Sequence, residues 1–192
     1  MAGDNQEQKQ QHISDAKALL GGASSPPEAL LTLAKNLIGC GEFGWARSVL
    51  EQAARQDIPD RQIKEKIAQS RALATYKDTQ LNPEAALNEA IGILRETYEL
   101  KTVKDQETLG LAGAIYKRLW ELDGARNHLE LSLIYYERGY KAGIVDDDGY
   151  TAINAAFVHD LLAFLEEKQA QEIGADAPTA ASHRKAAEKI RT

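Results

Sequence analysis

The sequence has little cysteine, no excess of basic charge and no long apolar run, and each shortage excludes a class of protein. Cys40 is the only cysteine, so no internal disulfide can form, and we interpret it as a small buried hydrophobe. A net charge of -6 disfavours a general nucleic-acid binder, which needs a basic face. No apolar run approaches the roughly 20 residues that span a bilayer. We therefore predict a cytoplasmic protein that contacts neither nucleic acid nor membrane.

The composition predicts an all-α chain. Alanine, leucine, glutamate, lysine, arginine and glutamine dominate, while β-branched residues are scattered and form no alternating runs between turn signals. Residues 1–12 are Gln-rich and charged with little to bury, which predicts a disordered leader. Residues 13–192 are predicted to form one helical-repeat domain that ends where such a pattern would continue with more helices.

Turn signals divide the chain into about eight predicted helices. Ser25 is predicted to cap a helix that starts at two prolines, and Asp60 and Asn82 are predicted to cap the helices that follow them. The aspartates of residues 146–148 precede another helix and are predicted to cap it. Because the intervening turns are short, neighbouring helices are expected to pack as antiparallel hairpins.

The hairpins repeat a pattern of large and small side chains. Residues 28–59 have the required size at nine positions: Leu30, Leu33, Ala34, Leu37, Gly41, Phe43, Ala46, Leu50 and Ala53. Small residues such as Ala34 and Ala46 allow the two helices of a hairpin to approach closely, and the large residues fill the gaps. This is the tetratricopeptide (TPR) pattern.

Two later segments follow the same spacing. In residues 109–140 the matching residues are Leu109, Ala112, Gly113, Tyr116, Ser132, Tyr136 and Gly139. A further match begins at Tyr150 and continues through Ile153, Asn154 and Phe157. The period of about forty residues implies a degenerate hairpin over residues 61–97. The sequence thus predicts a short, right-handed TPR-like solenoid of antiparallel helix hairpins.

Four segments carry a more specific resemblance. The sequences "RALATYKD", "ETLGLAGAIYKR", "YYERGY" and "YTAINAAF" resemble the TRAF-binding TPR region of the apoptosis signal-regulating kinases and of related bacterial TPR proteins. The resemblance covers about residues 60–165. It implies a helical regulatory platform that binds proteins and controls a signalling or defence effector. No kinase, protease or TIR-like segment accompanies it here, so the effector would lie on another polypeptide or on a further part of a longer chain.

No pattern in the sequence predicts catalysis, a metal or a cofactor. His12, His128, His159 and His183 are isolated from one another, and no His-x-x-x-His pair exists. Aligning the acidic run as an EF-hand would put Ile144 at the first ligand position, where calcium needs oxygen. We therefore predict a protein that is not an enzyme.

Helical geometry nominates a set of groove residues for a partner. The first helix of each TPR hairpin lines the groove, and the positions beside the packing residues point into it. The nominated residues are Thr32, Lys35, Lys117, Arg118, Thr151, Ala155 and His159. Their basic members would suit an acidic peptide or a carboxyl terminus. For Lys117 and Arg118 the alternative, that they stabilise a helix C-terminus, stays open.

Two functions follow from this sequence. The first is a protein-interaction scaffold with an open groove, which could also self-associate through exposed terminal helices. The second is a small-molecule-sensing domain, with a ligand enclosed between helices. The two differ in what they predict, because only the second requires an enclosed pocket and stabilisation by a metabolite.

Overall fold

The computed structural model describes the backbone of residues 2–192 and the side chains of residues 6–192. Over these residues the chain forms nine α-helices and no strand, which confirms the all-α prediction. The helices are α1 (Ala2–Leu20), α2 (Pro27–Gly39), α3 (Phe43–Ala54), α4 (Arg61–Lys77), α5 (Pro83–Thr97), α6 (Gln106–Asp123), α7 (Arg126–Ala142), α8 (Tyr150–Ile173) and α9 (Pro178–Arg191).

Consecutive helices pack in pairs, as in a TPR-like array. The most extensive contacts join α6 with α7, α8 with α9, α4 with α5, and α2 with α3. The chain divides into two compact units, residues 1–99 and residues 100–192, referred to below as unit 1 and unit 2. The predicted hairpin of residues 109–140 is thus present as α6 and α7, and the degenerate hairpin of residues 61–97 as α4 and α5.

The N-terminal segment differs from the prediction. Residues from Ala2 onward form α1, whereas the sequence predicted a disordered leader over residues 1–12, of which Met1 lies outside the described residues. Ile13, Ala16 and Leu19 pack on the core of unit 1 and hold the end of α1. Glutamine, glutamate and lysine have good helix propensities, so the helix continues N-terminally from that contact. The predicted single helical-repeat domain of residues 13–192 stays a prediction.

Side-chain caps start several helices as the sequence predicted. The Asp60 carboxylate accepts hydrogen bonds from the backbone N–H groups of Gln62 and Ile63 at 2.7 and 3.2 Å. The Asn82 side chain accepts one from the N–H of Ala85 at 3.0 Å. These bonds satisfy donors that a helix N-terminus leaves unpaired.

The predicted cap at Ser25 is absent. Pro26 occupies the N-cap position of α2 and makes no side-chain cap, while the Ser25 carbonyl accepts a hydrogen bond from Gln56 Nε2 at 3.0 Å. Pro27 lies in the first turn, where its missing N–H costs nothing, so the helix starts without a polar cap.

Close approach between helices in unit 2 depends on two glycines. A Cβ at Gly113 of α6 would lie 2.8 Å from ring carbons of Tyr136 on α7. A Cβ at Gly139 of α7 would lie 2.5 Å from Cγ2 of Thr151 on α8. Real Cβ contacts are essentially never this short. Glycine therefore sets the separation of α6 from α7 and of α7 from α8.

Candidate protein-binding surface

One face of α8 exposes large apolar side chains to solvent. Ile153, Phe157 and Phe164 are 67%, 47% and 56% exposed, and Tyr150 one turn earlier is also exposed. Their spacing of three, four and seven residues places them along one side of the helix. We call this row, Tyr150, Ile153, Phe157 and Phe164, the α8 stripe. Exposed aromatic side chains arranged in a row are uncommon on a monomer and are typical of a contact surface.

The opposite face of α8 is buried within unit 2. It carries mostly small and aliphatic residues: Thr151, Ala155, Ala156, Val158, His159, Leu162, Ala163 and Ala170. The helix is therefore apolar on both sides, which is the pattern of a helix covered from two directions. Within unit 2, packing accounts for only one of those directions.

A cation from α6 lies beside the α8 stripe. Lys117 Nζ donates a hydrogen bond to Asn154 Oδ1 at 3.1 Å and lies 5.3 Å from the centroid of the Phe157 ring. Burial lowers the pKa of Lys117. The nearby Glu121 carboxylate pairs instead with Arg118 at 2.8 Å. Among the described residues no carboxylate lies within ion-pairing distance of Lys117, so its partly desolvated charge can receive one from a partner.

The nominated residues of unit 1 lie at the surface. Thr32 and Lys35 are both exposed and occupy one side of α2. Thr32 Oγ1 donates a hydrogen bond to the Glu28 carbonyl at 2.9 Å, which engages the hydroxyl within its own helix. Whether these two residues contact a partner stays a prediction.

The three residues nominated on α8 are buried in unit 2 and do not lie at the surface as the sequence predicted. Thr151 and Ala155 have 0% exposure, and His159 is also buried. Thr151 Oγ1 donates to the Asp147 carboxylate at 2.6 Å and its methyl group packs on Gly139. The exposed row is offset from the predicted one by one or two positions, because the residues expected to pack, Ile153 and Phe157, face outward.

His159 belongs to a polar chain that joins three helices of unit 2. Its Nδ1 lies 2.7 Å from Nδ1 of His183 on α9, and its Nε2 lies 3.1 Å from Glu137 Oε1 on α7. Glu137 also binds Lys141 at 2.7 Å, and His183 Nε2 lies 3.9 Å from Glu166, which pairs with Arg126. Only one of the two facing nitrogens can carry a proton. The pair can thus hold at most three protons in total without breaking this contact.

Acidification is expected to destabilise unit 2 through His159. Burial lowers the pKa of His159 below 6.5, so the folded state binds fewer protons than the unfolded state just below that pH. The stabilising contribution of neutral His159 is complete above pH 6.5 and is lost as the pH falls through the folded pKa. Urea unfolding at intervals between about pH 5 and pH 7.5 should show this loss.

The variant His159→Gln is the control for this pH dependence. Other charges on the packed helices are Glu137, Lys141, Asp160, Glu166 and Arg184. Burial opposes ionisation of Glu137, but hydrogen bonds from Lys141 and His159 outweigh it and lower its pKa, so its contribution is lost only below pH 4.5. The pH dependence above pH 5 should therefore shrink in the variant. An unchanged profile would contradict the assignment to His159.

Packed helix hairpins with small residues at their contacts define a helical-repeat protein. The family Tetratricopeptide Repeats-Sensor (TPR-S) matches residues 42–159, more than half of the chain, and the protein belongs to this family. The match begins at the start of α3 and ends within α8, so it includes Lys117 and Phe157. No curated protein and no solved structure matches the chain. The narrower resemblance to the TRAF-binding TPR region stays a prediction.

Among the described residues, no helix combines the length and the apolar character needed to cross a membrane. In the same residues no three His, Cys, Asp or Glu side chains are grouped as metal ligands.

Proposed function

We propose that this protein is a non-enzymatic interaction module that binds a peptide or partner domain on the α8 stripe. The observation that carries the proposal is the exposure of Ile153, Phe157 and Phe164 along one side of a helix whose other side is buried. Membership of the TPR-S family agrees with a helical module for protein interaction or sensing. Aromatic side chains at a surface are frequent anchors of protein interfaces.

The proposed partner is an amphipathic segment with an acidic residue beside its apolar face. Its apolar side chains would cover the α8 stripe, and its carboxylate would pair with Lys117. That pairing is favourable because Lys117 is already partly desolvated and, among the described residues, has only the neutral Asn154 side chain as its hydrogen-bond partner. A common form of peptide recognition is an amphipathic helix that binds in an apolar groove through side chains spaced three and four residues apart.

We further propose that the partner is part of a signalling or defence effector and that binding occurs in the cytoplasm. The first point rests on the resemblance to the TRAF-binding TPR region. The second rests on the acidic composition and the single cysteine, which suit a reducing compartment. A second copy of this chain is the competing occupant of the stripe, and it would show itself as concentration-dependent self-association.

Peptides selected by phage display against the full chain provide the test. We expect selected sequences to combine aromatic or aliphatic residues at helical spacing with an acidic residue. Phe157→Asp should weaken their binding about 30-fold or more, because it places a charge in the apolar contact. Lys117→Met should weaken the binding of acidic peptides about tenfold. It should leave unchanged the binding of peptides in which the acidic side chain is replaced by its amide.

Ile134→Asp is the matched control. Ile134 is exposed to a similar degree, 51%, and lies in the same unit but on α7, not on the helix that carries the stripe. Its replacement should leave peptide affinity unchanged. Equal losses from Phe157→Asp and Ile134→Asp, or selected peptides without acidic residues, would contradict the proposed surface. A monomer–dimer equilibrium abolished by Phe157→Asp would assign the stripe to self-association instead.

A further inference from the structure

Unit 1 contains a cavity that the proposed function does not use. The cavity has a volume of about 330 Å³ and lies between the C-terminal end of α3, the following loop, α4 and the C-terminal end of α5. Its apolar floor includes Ile67, Ala68 and Ile93, all of which are buried. This volume is at the small end of the range for ligand sites and matches a small metabolite.

An arginine with a shielded, unsatisfied Nε atom lines this cavity. Arg71 is half-buried, and its Nε is shielded from solvent without a hydrogen-bond partner among the described residues. None of the described carboxylates forms an ion pair with its guanidinium group. Buried polar atoms are normally satisfied, and a charged one left unpaired is costly. A planar anion entering the cavity would supply the missing acceptor, and a carboxylate fits the geometry of guanidinium.

The rim of the cavity carries both signs of charge. Lys64 adds a second cation, while Asp57 and Glu96 supply two exposed carboxylates. A simple anion would be attracted by Arg71 and repelled by the acidic pair. A molecule with a carboxylate at one end and an ammonium group at the other would satisfy both sets of charges, and an apolar side chain would contact the isoleucines of the floor.

We propose that this cavity binds a small zwitterion with an apolar side chain, the chemistry of a free amino acid, with its carboxylate on Arg71. The site is formed entirely by unit 1. It is therefore independent of peptide binding to the α8 stripe in unit 2, and either proposal can fail without the other. In this arrangement the module would respond to a metabolite as well as to a partner protein.

A matched series of three probes tests the proposal on the full chain. L-leucine has both charges, 4-methylpentanoate has only the carboxylate, and 3-methylbutylamine has only the amine. Calorimetric titration should show binding of L-leucine at least about tenfold tighter than of either singly charged probe. At concentrations about 100 times its Kd, L-leucine should raise the unfolding temperature by about 5–10 °C.

Arg71→Met removes the counter-ion and keeps the apolar stem. We expect it to weaken the binding of L-leucine about tenfold or more and to raise the unfolding temperature of the unliganded protein, because it eliminates a shielded Nε–H group that has no acceptor. Glu96→Gln should weaken the binding of L-leucine and strengthen that of 4-methylpentanoate, because it removes a carboxylate that attracts the ammonium group and repels the anion. Arg55→Met is the matched control, since Arg55 is exposed on the same unit and does not line the cavity.

Three outcomes would overturn the proposal. The first is that none of the probes binds the wild-type protein at millimolar concentration. The second is that 4-methylpentanoate binds as tightly as L-leucine, which would remove the role of the acidic rim. The third is that Arg71→Met and Arg55→Met bind L-leucine equally well. Arg71→Met should keep a cooperative thermal unfolding transition, which shows that the variant is folded.

Discussion

Replacing Tyr136 with alanine should destabilise unit 2 by about 3–5 kcal/mol, the largest effect we expect from a single substitution. Tyr136 is the largest fully buried side chain among the described residues. Its ring fills the space between α6 and α7 and contacts Tyr150 edge-on, with the two ring centroids 6.1 Å apart. Removing it would leave a cavity that rigid helix pairs cannot fully close.

Urea unfolding followed by tryptophan fluorescence measures this change. Trp120 lies in unit 2 and Trp45 in unit 1, so a Trp45→Phe background makes the signal specific to unit 2. Ile134→Ala serves as the control, because an exposed side chain two residues away should change stability by no more than about 0.5 kcal/mol. A cost for Tyr136→Ala below about 1 kcal/mol would contradict the observed packing.

Gly113→Ala should destabilise unit 2 by about 1–3 kcal/mol although alanine favours helices. The added methyl group would meet three ring carbons of Tyr136 at 2.8–2.9 Å. The hydrogen bond from Ser132 Oγ to the Gly113 carbonyl, 2.8 Å long, holds α7 against α6 and limits relaxation. Helix propensity and packing thus oppose each other here, and packing should dominate.

Gly92→Ala in α5 is the matched control. It is also a glycine within a helix, but a methyl group added there would meet no atom of another residue within 4 Å outside the backbone of its own helix and its chain neighbours. Alanine should therefore stabilise unit 1 by about 0.5–1 kcal/mol through helix propensity alone. The two Gly→Ala substitutions are expected to have opposite signs, and the same sign at both positions would contradict the role of Gly113 in helix approach.

A double-mutant cycle between Gly113 and Tyr136 separates the contact from other effects. In the Tyr136→Ala background the added methyl group at residue 113 has room, so Gly113→Ala should cost little or become stabilising. The coupling energy should be at least about 1 kcal/mol. If the changes in the free energy of unfolding were strictly additive, the absence of a side chain at Gly113 would not be what makes room for the Tyr136 ring.

Local chemistry made much of this fold predictable. The caps Asp60 and Asn82 act within three residues of themselves, so their pattern can be read without knowing the tertiary structure. The small residues Gly113, Ser132 and Gly139 were identified from repeat spacing, and each lies at a helix contact in the structure. These signals are short-range or periodic, and both kinds can be recognised from a single sequence.

The orientation of α8 was not predictable in the same way. Its apolar residues occupy both faces, so periodicity could not decide which face packs within unit 2. The repeat pattern placed Ile153 and Phe157 inward, and the structure places them outward. His159 was nominated for the groove, but its partners Glu137 and His183 are 22 and 24 residues away and no local pattern indicates them.

The most direct test of the account is to locate the bound peptide on the protein. A peptide selected by display is titrated into the ¹⁵N-labelled full chain, and amide chemical-shift changes are followed by residue. We expect the largest changes along α8 from Tyr150 to Phe164 and around Lys117, with none on α7 near Ile134. Changes centred on Thr32 and Lys35 of α2, or on α7, would show that the partner binds elsewhere and would contradict the assignment of the α8 stripe.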